Sequence, residues 1–193
     1  LLEAKLFRRD CALIINLKDK IEFQSRRLRA IKKAKKFNIK VVEKNTFGEF
    51  WDEILVPNLK LKHNASPVHS LKEIELLAKR FPTNIRQFNA YLGNKIVAGT
   101  TIFETPTVAH AQYISASEEG RSIGGLDYLF DQLISVIYSQ KDFFDFGISN
   151  EDQGRKLNHG LLDWKEGFGG RSSSHDFYEI STNKFNLLEK VIK

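Results

Sequence analysis

The strongest constraint on the fold lies between residues 84 and 149. Three β-prone runs, NIRQFNAYL, KIVAGTTIFE and TVAHAQYISA, follow one another with only the Gly93-Asn94-Lys95 turn and a turn holding Pro106 between them. A glycine–asparagine link takes positive φ at little cost, so the first two runs predict a β-hairpin. The third run extends it to an antiparallel meander. Glu118 to Gly125 is then polar and glycine-rich, and leads into Leu126, Leu129, Phe130, Leu133, Ile134 and Ile137. That is one apolar stripe at helical spacing. FFDFGIS (143–149) predicts a short buried strand after this helix. A strand reached through a crossover helix runs parallel to a neighbour. The expected fold class is therefore α+β, with a mixed, mostly antiparallel sheet flanked by helices on both faces.

The flanking segments fill in the order. Upstream, 12–17 reads as a strand, 22–37 as a helix and 39–44 as a strand. Thr46 and Glu49 form a capping-box pattern before Phe50, Trp51, Ile54 and Leu55, and Pro57 is expected to end or kink that helix. Ser70 and Glu73 repeat the pattern before LKEIELLAKRF, which Pro82 stops. Downstream, Leu157, Leu161, Trp164 and Phe168 mark a helix, SHDFYEI a strand and KFNLLEKVI a terminal helix.

At 193 residues the chain suffices for one sizeable domain, or a domain plus an arm. A start at Leu-Leu-Glu instead of Met predicts a missing N-terminal portion. The single cysteine, Cys11, supports neither a disulfide framework nor a Cys-rich zinc site, and in the apolar run CALIINL it reads as a small buried hydrophobe. With no secretory signal and no run near the ~20 apolar residues of a membrane span, the expected compartment is cytoplasmic. The net charge of +6 is uneven: residues 1–80 carry 19 of the 30 Lys and Arg but 10 of the 24 Asp and Glu. Arg26, Arg27, Arg29, Lys32, Lys33, Lys35 and Lys36 concentrate it in helix 26–36. Such a run is either a solvated face or a salt-sensitive contact for phosphate or RNA.

Three motifs invite chemistry. Asp145-Phe146-Gly147 spells the magnesium loop of protein kinases, but no glycine-rich loop, strand lysine or His-Arg-Asp loop precedes it in recognisable form. A strand aspartate before a tight glycine turn is the better reading. His159 and Asp163 stand four apart on a helix, with His175 distant; without a second spaced cluster they read as a surface pair, and no metal is expected. The turn at 121–125 can aim backbone N–H groups and a helix N-terminus at a pyrophosphate, with Arg121 adding charge. A structural turn is the alternative.

Together, three antiparallel strands, Arg-Ser-Ile-Gly-Gly-Leu opening a helix, and a further strand resemble the core of the GNAT acyltransferase superfamily. There an Arg/Gln-x-x-Gly-x-Gly/Ala turn holds the pyrophosphate of acyl-CoA. Arg121 and Gly124 match its first and fourth positions, while Leu126 departs at the sixth. The chain is more closely similar to the Fem-like branch, the aminoacyl and peptidyl transferases with tandem GNAT domains and their bacterial acetyltransferase relatives. RRLRAIKKAKKFNIKV, PVHSLKEIELLAKRF, and DFGIS followed by GLLDWKEGFGG carry that likeness. It implies that residues 1–20 are the tail of a preceding GNAT-like half and that 21–193 form an acyltransferase domain.

The resemblance also implies a reaction and a site. An acyl group, acetyl from acetyl-CoA, passes to a small-molecule or peptide amine. Ile114, Ser115 and Ala116 offer backbone groups to the donor's pantetheine arm, and Arg121, Ser122, Ile123, Gly124 and Gly125 hold its pyrophosphate. His110, sharing a strand face with Gln112 and Ile114 and opposite Ala111 and Tyr113, is the candidate base. Tyr138 and Tyr178 are candidate acids. His69, Glu73, Gln112, Asp145 and Lys165 are assigned to the acceptor. A structural reading stands beside several of these: an in-sheet histidine, packed tyrosines, a Glu73 that only completes its cap. Two other functions follow from the same resemblance. One is aminoacyl transfer from tRNA to a cell-wall peptide precursor, with helix 26–36 touching the tRNA. The other is a non-catalytic binding or dimerisation module, with a second copy or a tandem domain as partner.

Overall fold

The computed structural model describes residues 3–190, without the side chains of His63 and of residues 188–190. Its strands are β1 (Lys5–Asn16), β2 (Lys40–Lys44), β3 (Ile85–Leu92), β4 (Lys95–Glu104), β5 (Val108–Ala116), β6 (Phe143–Ile148) and β9 (Arg171–Glu179), with a small ribbon of β7 (Asn150–Glu151) and β8 (Lys156–Leu157). Seven of them form one sheet in the order β2-β3-β4-β5-β6-β1-β9. Every neighbouring pair is antiparallel except β5 and β6, which run parallel. The architecture is the mixed α+β arrangement that the meander and the crossover helix demand. Residues 5–16 form an interior strand of this sheet, longer than the run 12–17 suggests.

Helices cover both faces. On one side lie α1 (Ser25–Lys36), α6 (Gly125–Gln132, continued by a π turn at Leu133–Ile137) and α7 (His159–Glu166). Phe130, Phe144, Phe146, Trp164 and Phe168 interlock there, with Phe130 stacked 5.3 Å from Phe146. The phenylalanine of Asp145-Phe146-Gly147 is therefore a core residue. On the other side lie α2 (Gly48–Phe50), α3 (Val56–His63) and α4 (Leu71–Arg80), over Phe50, Trp51, Ile74, Ile96 and Tyr113.

Four local expectations are corrected. Pro57 does not end its helix: a π turn at Trp51–Leu55 lies just before it and joins α2 to α3, so the helix runs on past the proline. Thr46 does not cap α2; Phe47 precedes the helix, and Glu49 accepts the Tyr91 hydroxyl instead of closing a box. The segment after β5 is not an open turn. Residues Glu118–Ser122 form a short helix, α5, whose Gly120 amide is capped at 3.0 Å by Ser117 Oγ. The terminal helix is of 3-10 type over Thr182–Lys190, and residues 191–193 lie outside the described ones. The Ser70–Glu73 capping box forms as expected.

α1 and α6 are pinned by a largely buried ion pair, Arg27 with Asp127. Burial pushes the Asp127 carboxyl up despite the guanidinium beside it. Replacing Asp127 with Ala strands Arg27's charge in the seam, and the expected loss is about 3 kcal/mol. Urea unfolding checks it; an unchanged midpoint would mean that water already screens the pair.

Candidate active site

β5 and β6 pair only through Val108↔Phe143, Ala109↔Phe144 and His110↔Asp145. Beyond that point each strand bulges. On β5, Thr101↔Tyr113 is followed by Ile102↔Ala111, leaving Gln112 as the extra residue. On β6, the ladder to β1 shifts between Ile148 and Asp145, around Gly147 at φ +70°. A bulge bends its strand and sharpens its twist, so the two strands splay apart. A cavity of about 970 Å³ opens in the split, walled by β5, β6, α3, α6 and α7.

His110 sits at the apex. Its Nδ1 lies 2.7 Å from Asp145 Oδ2 and its Nε2 3.2 Å from Gln112 Oε1. Asp145 Oδ1 accepts the Gly147 amide at 2.7 Å. Burial would raise the Asp145 carboxyl, but the bonds from His110 and Gly147 outweigh it and hold the group below its ordinary value. Glycine at 147 suits the positive φ, and a Cβ there would press on the His110 ring at 3.3 Å. Lys165, 1% exposed, donates to the carbonyls of Gly147 at 3.0 Å and Ile148 at 2.6 Å. Burial lowers its pKa to about 8, against the pull of Asp145. An imidazole oriented by a carboxylate, with a buried amine of lowered pKa in the same cavity, is equipped for proton transfer.

Of the residues singled out by sequence, His110, Gln112, Asp145 and Lys165 meet here, and Ile114, Ser115, Ala116 and Arg121 line the same cavity. The Ala116 carbonyl already accepts Asn58 Nδ2 at 2.8 Å and the Arg121 guanidinium. Ser122, Ile123, Gly124 and Gly125 lie outside the lining. Gly124, at φ +80°, faces α1, where a Cβ would overlap the Ala30 carbonyl. The amides of Ile123 and Gly124 bond Glu119 and Arg121 within the chain. His69 and Tyr138 do not reach the cavity. His69 lies beside Tyr113 in the other core, with Nδ1 2.6 Å from the hydroxyl, and Glu73 caps α4. Tyr138 is buried against Phe88 and Phe144 under Arg86, and burial pushes its phenol far up. Tyr178 is exposed on β9. Asp163 is held by Arg26, not by His159. The strand-face assignment also changes: Ala111 packs in the α6 core and Tyr113 in the α3 core, because the bulge at Gln112 reverses the alternation.

Two further cations line the cavity: Lys62, which the sequence does not single out, and Arg27, which it places only in the basic helix run. Lys62 lies one helical turn beyond Asn58 on α3, and its pKa is lowered by burial and by Arg121's charge. Arg27 is the other, spent on Asp127.

The chain matches no protein-family model and no curated protein. Solved structures do share its fold. The C-terminal domain (DUF2156) of an Agrobacterium fabrum protein provisionally assigned as a lysylphosphatidylglycerol synthetase is 11% identical, with a TM-score of 0.67 over 98% of this chain and 66% of that one. FemX is 12% identical, with a TM-score of 0.67 over 94% and 63%. L-PGS from Bacillus licheniformis is 12% identical, with a TM-score of 0.65 over 98% and 66%. The chain thus has the GNAT-like, Fem-like fold and spans just under two thirds of each of these proteins. Among the described residues no helix is long and apolar enough to cross a membrane.

Proposed function

We propose that this chain transfers an acyl group from a phosphate-bearing carrier to an amine in the β5–β6 cavity, with acetyl-CoA as the donor. The observation that carries this reading is the His110–Asp145 pair at the apex of a strand split that opens a deep cavity. A protonated amine is no nucleophile, so His110, oriented by Asp145, accepts the amine's proton as the amine adds to the thioester carbonyl. Collapse of the tetrahedral adduct breaks the C–S bond, forms the amide and releases the thiol, which takes up a proton. Lys62 and Arg121, two cations brought together in the lining, suit the donor's phosphates.

Aminoacyl transfer from tRNA is the second reading, favoured by α1. Arg26, Arg27, Lys33 and Lys35 are engaged with Asp163, Asp127, the Ser122 carbonyl and Asp131. Arg29, Lys32 and Lys36 are exposed and have no ion pair or side-chain hydrogen bond among the described residues. Calorimetric titration with acetyl-CoA and desulfo-CoA separates the readings. Micromolar binding, weakened at least tenfold by Lys62→Glu with Arg121→Glu, is expected. No CoA binding, with salt-sensitive tRNA binding lost on reversing Arg29, Lys32 and Lys36, would transfer the assignment to the second reading. Neither result would leave a non-catalytic module. Gly124 is unsuitable for this test, since a side chain there collides with α1.

A further inference from the structure

Two strands border the sheet, and they differ. β2 is five residues long with a lysine at each end, a device that keeps an edge strand from pairing with another chain. β9 is nine residues long, RSSSHDFYE, with neither lysine nor proline. Its only neighbour in the sheet is β1. The irregularity in that ladder belongs to β1, where Phe7 is the extra residue, so β9 itself runs regularly from Arg171 to Glu179. All its residues except Ser173 and Asp176 are exposed, and among the described residues no backbone hydrogen bond is made to its outer edge. Phe177 and Tyr178 are 46% and 57% exposed, alongside the exposed Leu6 and Phe7 of β1.

We propose that β9 pairs antiparallel with β9 of a second copy of this chain, in the register centred on His175. The strand is complementary to itself in both charge and size. Residues directly opposite in an antiparallel pair share a face, so a two-fold axis normal to the sheet must fall at a residue paired with itself. Centred on His175, Arg171 of each copy faces Glu179 of the other, an opposite-charge pair at each end of the ladder. Neither side chain has an ion pair within its own chain among the described residues. Ser172, Ser173 and Ser174 face Tyr178, Phe177 and Asp176, so every larger side chain meets a small one. Other registers lose this match. Centring on Ser174 leaves Tyr178 and Glu179 beyond the partner's strand. Centring on Asp176 sets two carboxylates opposite each other and leaves Arg171 and Ser172 unpaired.

The pairing also bears on the cavity. His175 lines it together with His110, Asp145 and Lys165, so the second copy's strand comes to lie along the cavity rim at His175. Arg171 and Glu179 are not among the lining residues, which lets the interface be altered without touching the site.

Sedimentation velocity over a concentration series, with amide hydrogen exchange read at 171–179, tests the pairing without turnover and so independently of the transfer reading. The parent chain is expected to dimerise and to protect β9 amides as it does so. Arg171→Glu and Glu179→Arg each set like charges at both ends of the ladder, and each should weaken the dimer about tenfold or more. Both positions are exposed, so the fold should hold, and thermal unfolding of each variant checks that it does. Mixing the two variants puts opposite charges back at both ends, so a heterodimer of parental strength is expected. The doubly substituted chain should recover its homodimer for the same reason. A parent that stays monomeric, or a dimer that ignores both variants, would overturn the proposal. A monomer with protected β9 amides would overturn it too, because its edge would then be covered from within its own chain.

Discussion

Replacing His110 with Gln is expected to lower the rate of acyl transfer by about 10²–10⁴-fold, the usual worth of a positioned general base. Glutamine can still donate to Asp145, so the partner's buried carboxylate keeps a hydrogen bond and the fold should survive. The loss should fall on kcat, with donor affinity nearly unchanged, because Lys62, Arg121 and the rest of the lining stay in place. Steady-state rates over a range of pH, with donor affinity from calorimetry, check both halves. A variant within tenfold of the parent would show that the imidazole serves the sheet and not the reaction. Loss of donor binding together with rate would show that His110 shapes the cavity.

The second large effect concerns Lys165 and stability. Its folded pKa of about 8 lies below the ordinary 10.5, because burial disfavours the charge. Between those values the unfolded chain holds a proton that the folded chain has released, so stability must rise with pH across that window. The full gain is about 3 kcal/mol, reached as pH approaches 10.5. Lys165→Met removes that slope. It also leaves the Gly147 and Ile148 carbonyls without their donor, so it should lower stability overall and loosen the bulge that orients Asp145. Urea midpoints of both proteins at pH 7, 8 and 9 decide the point. Parallel slopes would mean that Lys165 is solvated and titrates like any surface lysine.

Much of the frame is legible in the residues. The Gly93-Asn94 turn, the helical stripe from Leu126 and the buried run FFDFGIS suffice for a mixed sheet with one parallel pair, and that pair is where His110 meets Asp145. What escapes has identifiable causes. Proline at 57 looks like a stop, but a π turn just before it lets the helix run on into α3. Misplacing it hides Asn58 and Lys62, and with them one wall of the cavity. A single bulged residue, Gln112, defeats the period-two alternation that should assign Ala111 and Tyr113 to one face. Glycine at 124 gives the same signal whether the backbone approaches a phosphate or a helix, and here it approaches α1. Tyr138 ends an amphipathic helix in either role, and only its burial against Phe88 removes it from the cavity.

The central claim is that the donor enters the split between β5 and β6. Amide hydrogen exchange with and without saturating desulfo-CoA, which lacks the thiol and so cannot carry an acyl group, tests it most directly. Protection concentrated at 112–116 and 145–148, with α3 slowed around Asn58 and Lys62, is the predicted result. Protection confined to α1 or to β9, or none at a concentration shown by calorimetry to saturate, would contradict it.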